Sequence, residues 1–181
     1  MLKEESRILL IGASGSGTTT LGKSLSAEWN IPHYDLDGFF WKITEIPYTQ
    51  FRTKPELRLL IEKELYSKSS WIISGDPSEW EVGIEDKLTK VYFLDCPTEI
   101  RVKRLNEREL IKQGTAILKG GKNYQNHNKF IEWTKKYDEG GIGGRSREKQ
   151  ESWMAKLNCP VFRLKTNDSK KELVKKITIS I

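Results

Sequence analysis

The sequence predicts an α/β fold, a three-layer α/β/α sandwich built on a parallel sheet. Two observations predict it. Short apolar, β-branched or aromatic runs recur along the chain: "RILLI" (7–11), "HYDLD" (33–37), "WIIS" (71–74), "VYFLD" (91–95) and "VFRL" (161–164). Bounded runs of this length read as strands buried inside a parallel sheet. Between them lie stretches with helical periodicity, and strand alternates with helix to the end of the chain, as in a sheet covered by helices on both faces.

The elements follow in order. The first strand runs into a glycine-rich loop, and a helix over Thr18 to Trp29 starts at that loop. A weak second strand at 33–37 precedes a helix over Thr53 to Ser69, where Leu57, Leu60, Ile61 and Leu65 fall at helical spacing. After the strands at 71–74 and 91–95, Pro97 introduces a helix over Thr98 to Gln113 with Thr98 as its expected N-cap. Helices over Ser146 to Leu157 and Ser169 to Ile177 flank the last strand, the second opening with a capping-box pattern, Ser169-x-x-Glu172.

Two segments depart from the alternation. Residues 38–70 lengthen the second connection and open with "GFFW". Residues 114–145 hold seven of the fourteen glycines: Gly114, Gly120, Gly121, Gly140, Gly141, Gly143 and Gly144. These flank "KNYQNHNKFIEWTKKYDE", a predicted helix with Phe130, Trp133 or Thr134, and Tyr137 on one face. Glycines at both ends of an insert suit the hinges of a flap over a site, or a plain surface excursion.

Composition bounds the function. A chain of 181 residues is expected to form one domain, 1–181, with a real core. The net charge is +6, but Lys and Arg are interleaved with Glu, as in "EIRVKRLNERE", so a phosphate-rich ligand explains the charge and nucleic acid is not the expected partner. Two cysteines, Cys96 and Cys159, make neither a disulfide framework nor a metal site. No apolar run approaches a membrane span, and "MLKEESR" has no signal-peptide core, so a cytoplasmic protein away from membranes is expected.

The stretch that carries chemistry is "GASGSGTTT", Gly12 to Thr20, between a strand and a helix. It matches the phosphate-cradling pattern G-x-x-x-x-G-K-[ST] except at one position. Gly12, Gly15 and Gly17 let backbone N–H groups turn inward on phosphate oxygens, and the helix that follows adds its positive end. Ser14, Ser16 and Thr18 to Thr20 add hydroxyl donors; Thr19 falls where the metal-binding hydroxyl belongs. The lysine position holds Thr18. Lys23, more than a helical turn on, is not its expected replacement. Arg104 and Arg108 on the helix entering the insert, and Arg145 and Arg147 at its exit, could close on the phosphates instead. Arg101 shares their stripe but reads as part of a solvated face paired with Glu107 and Glu109. His33 and His127 lack ligand spacing and read as non-catalytic.

The succession "GASGSGTTTLGKSL", "HYDLDGFFW", "WIISGD", "VYFLDCPTEIRVKRLNERE" and "GGRSREKQESWMAKLNCPVFRL" resembles the adenylate-kinase and shikimate-kinase superfamily of P-loop kinases over essentially the whole chain. The likeness is greatest to bacterial adenylate-kinase-like or topology-modulation-like proteins. It implies a P-loop NTPase sheet of five parallel strands in the order 2-3-1-4-5, an acceptor-binding region at about 38–70 and a lid at about 114–145. It implies ATP on residues 12–20, with Mg²⁺ held by Thr19 and Asp35, and Asp37 on the acceptor hydroxyl, since "YDLD" is similar to the D-x-D of shikimate kinases. "SGDPSEW", with Ser74, Gly75 and Asp76, stands where adenylate kinases carry "DGFPR", which weakens the case for a nucleoside monophosphate; Asp37 or Asp76 would orient or deprotonate the acceptor. Phe40 and Trp41 could stack a flat acceptor, although aromatic residues are more often core.

The function expected is an ATP-dependent phosphotransferase moving a γ-phosphoryl group to a nucleotide or small hydroxyl acceptor. The alternative is a weak or inactive nucleotide-binding regulatory protein of the same fold, motivated by Thr18. A nucleic-acid-associated ATPase rests on the basic charge alone.

Overall fold

A computed structural model describes residues 5–44, 50–80, 83–140, 144–166 and 169–179. At its centre are five parallel strands: β1 (Arg7–Gly12), β2 (His33–Asp35), β3 (Trp71–Ser74), β4 (Lys90–Asp95) and β5 (Val161–Lys165). Their spatial order is β2-β3-β1-β4-β5, the order the resemblance implies. The central strand β1 pairs Leu9 with Ile73 on one side and with Val91 on the other.

Seven helices accompany the strands: α1 (Thr18–Trp29), α2 (Leu36–Phe40), α3 (Lys54–Ile61), α4 (Thr98–Gln113), α5 (Tyr124–Lys135), α6 (Arg147–Met154) and α7 (Lys170–Ile179). Side chains alternate across each strand, so the apolar runs feed two cores. Ile8, Leu10, Ile72 and Tyr92 pack with Leu21 and Leu25 of α1 and Leu173 of α7. Leu9, Ile11, Ile73 and Phe93 pack on the other face with Leu57 and Ile61 of α3 and Met154 of α6. These strands are apolar throughout because both faces are covered.

Local sequence sets the starts of α3 and α7 as expected, while one expected cap is not used. Thr53 caps α3 in a full capping box: the Thr53 N–H donates to Glu56 Oε2 at 2.7 Å and Thr53 Oγ1 accepts the Glu56 N–H. Ser169 and Glu172 make the same exchange before α7. The exception is α4, whose N-cap is Pro97 rather than Thr98. Thr98 Oγ1 instead accepts from Arg101 and donates to Asp138. The helix predicted over 53–69 ends as α3 at Ile61 and continues as a π-helical stretch, Glu62–Tyr66.

The segment 114–145 holds two 3₁₀ turns, Gly114–Ile117 and Lys136–Glu139, either side of α5. Gly120 and Gly140 have positive φ, at 87° and 101°, which a glycine adopts without strain. Gly141 and Gly143 lie outside the described residues. The buried face of this segment is Ile131, Thr134 and Tyr137, not Phe130 and Trp133, whose rings stack on each other in partial exposure. Among the described residues, no helix is long and apolar enough to cross a membrane.

Candidate active site

The carboxyl ends of the strands converge on one crevice, where open α/β sheets bind ligands. Gly12 ends β1, Asp35 ends β2 and Ser74 ends β3. From Gly12 the chain turns through residues 13–17 into α1. Gly15 and Gly17 hold φ of 81° and 101°, and a Cβ at Gly15 would stand 2.8 Å from the Arg101 carbonyl of α4. The loop is thus pressed against α4, and glycine is needed for the fit as well as for the turn. Gly17 is the N-cap of α1 and no side chain caps that helix. The first N–H groups of any helix lack intrahelical acceptors, and here no capping side chain takes them, which suits an anion.

This arrangement fits a nucleotide phosphate chain. The Ser16 hydroxyl is buried and has no protein partner. Thr19 Oγ1 donates to Asp35 Oδ2 at 3.0 Å, so the two residues expected to hold Mg²⁺ stand together. Among the described residues no cluster of three or more His, Cys, Asp or Glu side chains could hold a metal alone. A pair of protein groups suits Mg²⁺, which completes its shell with water and substrate phosphates.

The arginines divide sharply. Arg145 reaches the loop: its Nη1 lies 3.4 Å from Ser14 Oγ, and its Nε pairs with Asp76 Oδ2 at 3.0 Å. Arg104 spans the loop and the end of the sheet, donating from Nη1 to the Ser16 carbonyl and from Nη2 to the Thr166 carbonyl. Arg108 is half-exposed and pairs with Glu109 at 2.8 Å. Arg147 is turned to structural work: Asp95 at 2.6 Å and Asp138 at 2.7 Å hold it, and burial is outweighed by these carboxylates, which raise its pKa. The structure therefore does not bring Arg147 onto the loop.

Arg101 corrects the expectation of a solvated face. It is fully buried, donates to the Cys96 and Thr134 carbonyls, and pairs with Asp138 at 2.7 Å. Its partners are Cys96 and Thr98 nearby and Thr134 and Asp138 of the 114–145 segment, not Glu107 or Glu109.

On the acceptor side, Asp37 keeps exposed surface, yet the surrounding protein desolvates its carboxyl and moves it above the ordinary aspartate range. Asp35 adds to the rise, while Arg145 and Arg108 oppose it. Asp37 therefore stands between a second carboxylate and two guanidinium groups. Asp76 is 4% exposed and its oxygens are occupied, by Arg145, by Gln150 Nε2 at 2.7 Å and by the Ser78 N–H at 3.0 Å. In this arrangement Asp76 anchors Arg145. The expected aromatic platform differs too. Phe40 lies in the core on the buried face of α2, its ring stacked on Trp80, and the Trp41 ring stacks on Phe51 at 3.7 Å. These rings face one another rather than an open slot.

Three residues with no expected part in the site are drawn into it. Gln150 joins the Gly12 carbonyl, Asp76 and the Tyr137 hydroxyl. His33 Nε2 lies 2.9 Å from Ser74 Oγ, and burial lowers the pKa of the ring. Ser74 in turn reaches Thr19. The one available signal was position: His33 and Asp35 are two apart on a strand and share a face.

A glycine-built phosphate loop at the end of a central parallel strand, with a carboxylate from the next strand on its threonine, defines a P-loop kinase. Comparison with known proteins agrees. The chain is 38% identical over 170 residues, 94% of each protein, to the uncharacterized protein YqaC of Bacillus subtilis (strain 168). It is 35% identical to the shikimate kinase of Aquifex aeolicus (strain VF5) over 121 residues, 59% of this chain and 71% of that one. The crystal structure of the Aquifex aeolicus shikimate kinase superposes with a TM-score of 0.53 at 21% identity, over 96% of this chain and 94% of that one. The YorR protein of Bacillus subtilis, in complex with phosphorylated GDP, gives 0.55 at 17% identity over the same shares. No family model matches the chain. The chain belongs to the P-loop kinases of the adenylate-kinase and shikimate-kinase superfamily. Kinase relatives point to phosphoryl transfer as its general chemistry.

Proposed function

We propose that the protein is an ATP-dependent phosphotransferase that moves the γ-phosphoryl group of ATP to a nucleotide or small hydroxyl acceptor. The observation that carries this reading is Arg145, which extends from the end of the glycine-rich insert to Ser14 of a loop that lacks its lysine. Phosphoryl transfer depends on positioning and on charge placed where charge develops, so a guanidinium fixed beside the loop can supply what Thr18 cannot. Residues 12–20 would hold the triphosphate, with Thr20 within reach of the α-phosphate. Thr19 and Asp35 would hold Mg²⁺, which when bound neutralises phosphate charge. Asp37 would orient the acceptor hydroxyl and take its proton, and its raised pKa suits a base. Arg104 would fix the loop, Arg108 would face the acceptor side, and Asp76 would aim Arg145. Residues 38–70 would bind the acceptor and 114–145 would close as a lid over it, within a single domain in the cytoplasm.

The test is ADP release from ATP and Mg²⁺ with a panel of nucleoside monophosphates, nucleosides and small hydroxy acids. Acceptor-dependent ADP is the expected result. Thr18 favours a second reading, a nucleotide-binding regulator of the same fold. That reading predicts an ATP-induced rise in melting temperature with no ADP from any acceptor.

A further inference from the structure

Thr19 and Asp35 do not stand alone. Behind them runs a file of polar groups that sequence reasoning left without a role. His33 Nε2 is 2.9 Å from Ser74 Oγ, Ser74 Oγ is 3.5 Å from Thr19 Oγ1, and Thr19 Oγ1 is 3.0 Å from Asp35 Oδ2. Three elements bring them together. Ser74 is the register partner of Asp35 across β2 and β3. His33 and Asp35 share one face of β2, and Thr19 and Gly22, three residues apart, share one face of α1.

The directions of these bonds follow from counting protons. A carboxylate only accepts. Asp35 Oδ1 takes the Asp37 N–H at 3.1 Å, and Oδ2 takes the Thr19 hydroxyl proton. Thr19 then has no proton left, so in its 3.5 Å contact with Ser74, longer than an ordinary O–H···O bond, Ser74 is the donor. Ser74 is left with none either, so its bond to the imidazole must come from an Nε2–H. The file therefore runs one way, from His33 to Ser74 to Thr19 to Asp35, and it requires the Nε2–H form of the ring.

The site is fitted to this ring. A Cβ on Gly22 would lie 2.4 Å from His33 Nε2, so α1 carries glycine where the imidazole passes under it.

We propose that His33 is a positioning residue for the phosphate-bound cation: through Ser74 it fixes the Thr19 hydroxyl so that a lone pair, and not a proton, faces the metal. This rests on the reading of Thr19 and Asp35 given above. Partners of this kind, one step behind a ligand, set ligand orientation and weigh on metal affinity. A histidine that merely fills space under Gly22 would contribute to stability without affecting the cation.

Two measurements test it. The first needs no nucleotide or metal. In ¹⁵N-labelled protein, long-range ¹H–¹⁵N spectra of the imidazoles at neutral pH, with His127→Ala to assign the two rings, should give His33 as the Nε2–H tautomer. The Nδ1–H tautomer overturns the relay. The second is calorimetric ATP binding with and without Mg²⁺. In His33→Ala and in Ser74→Ala the Mg²⁺-dependent gain in affinity should fall by about 10-fold or more, with Mg²⁺-free binding little changed. His33→Gln, whose amide N–H₂ can stand in for Nε2–H, should recover most of the gain. An unaltered gain in folded His33→Ala overturns the proposal. A wild type with no Mg²⁺-dependent gain overturns the Thr19–Asp35 reading and the role of His33 toward the cation with it; the tautomer separates that failure from a failure of the relay itself.

Discussion

The guanidinium of Arg101, with no exposed surface, lies 2.7 Å from Asp138, and the same carboxylate holds Arg147 at 2.7 Å. One aspartate thus ties α4, the 3₁₀ turn after α5 and the start of α6 into a single unit at the base of the glycine-rich insert. Arg147 extends the tie to Asp95 at the end of β4.

Asp138→Ala should therefore destabilise the fold by about 2–3 kcal/mol, since breaking a pair with a buried partner leaves that charge uncompensated. Chemical denaturation checks it. The pH dependence has a definite sign. Burial alone would raise the Asp138 pKa, but bonds from Arg147 and Thr98 and the charge of Arg101 bring it below its ordinary 3.8. Its contribution is present above that value and disappears as pH falls through the depressed one. Acid unfolding of Asp138→Asn should show a smaller loss over that window.

Arg145→Ala should lower kcat by about 100-fold or more, the scale of losing a preorganised charge contact. The fold should lose only about 1–2 kcal/mol, because Asp76 keeps Gln150 and the Ser78 N–H. Adding Thr18→Lys to this variant should restore part of the rate, since the lysine would return a cation to the loop. Steady-state kinetics and melting curves on the two proteins decide it; equal turnover in wild type and Arg145→Ala would remove Arg145 from the mechanism.

Arg104→Ala should act on nucleotide binding. Its contacts to the Ser16 and Thr166 carbonyls hold the loop against the sheet end. A loss near 1.4 kcal/mol corresponds to about a 10-fold rise in KM for ATP. A pure kcat effect would place Arg104 at the transferred group instead.

Asp37→Asn should abolish turnover and stabilise the protein. The Asp37 pKa is raised above 3.8, by desolvation first and then by Asp35. Below 3.8 the carboxyl is neutral in folded and unfolded chains alike. As pH rises above 3.8 the unfolded chain ionises first, so stability falls until the folded value is passed and stays at that lower level beyond it. The asparagine avoids that loss, so its melting temperature should exceed that of the wild type at neutral pH and match it in acid.

Much of this was legible in the chain. The five runs became the five strands, and β1, β3 and β4 read clearly because a doubly covered strand needs no polar alternation. The phosphate loop was legible because glycine and hydroxyl positions are fixed by backbone geometry. Asp35 beside Thr19 came from the D-x-D resemblance. What escaped was decided by partners distant in sequence. Arg101 looked solvated because its carboxylate, Asp138, is 37 positions away. Phe40 and Trp41 looked like a platform because nothing local reveals that Trp80 and Phe51 cover them. Asp76 looked free because Arg145 and Gln150 reach it only when the insert folds back.

The fit between Gly22 and His33 has a consequence for substitution. The two residues occupy one shared volume, half of it vacated by the helix and half filled by the ring. Position 22 is not free to grow while the ring is in place. Gly22→Ala should be poorly tolerated with His33 in place and much better tolerated when residue 33 is made small, so that a pairwise mutational scan would find two distant letters of the sequence behaving as one.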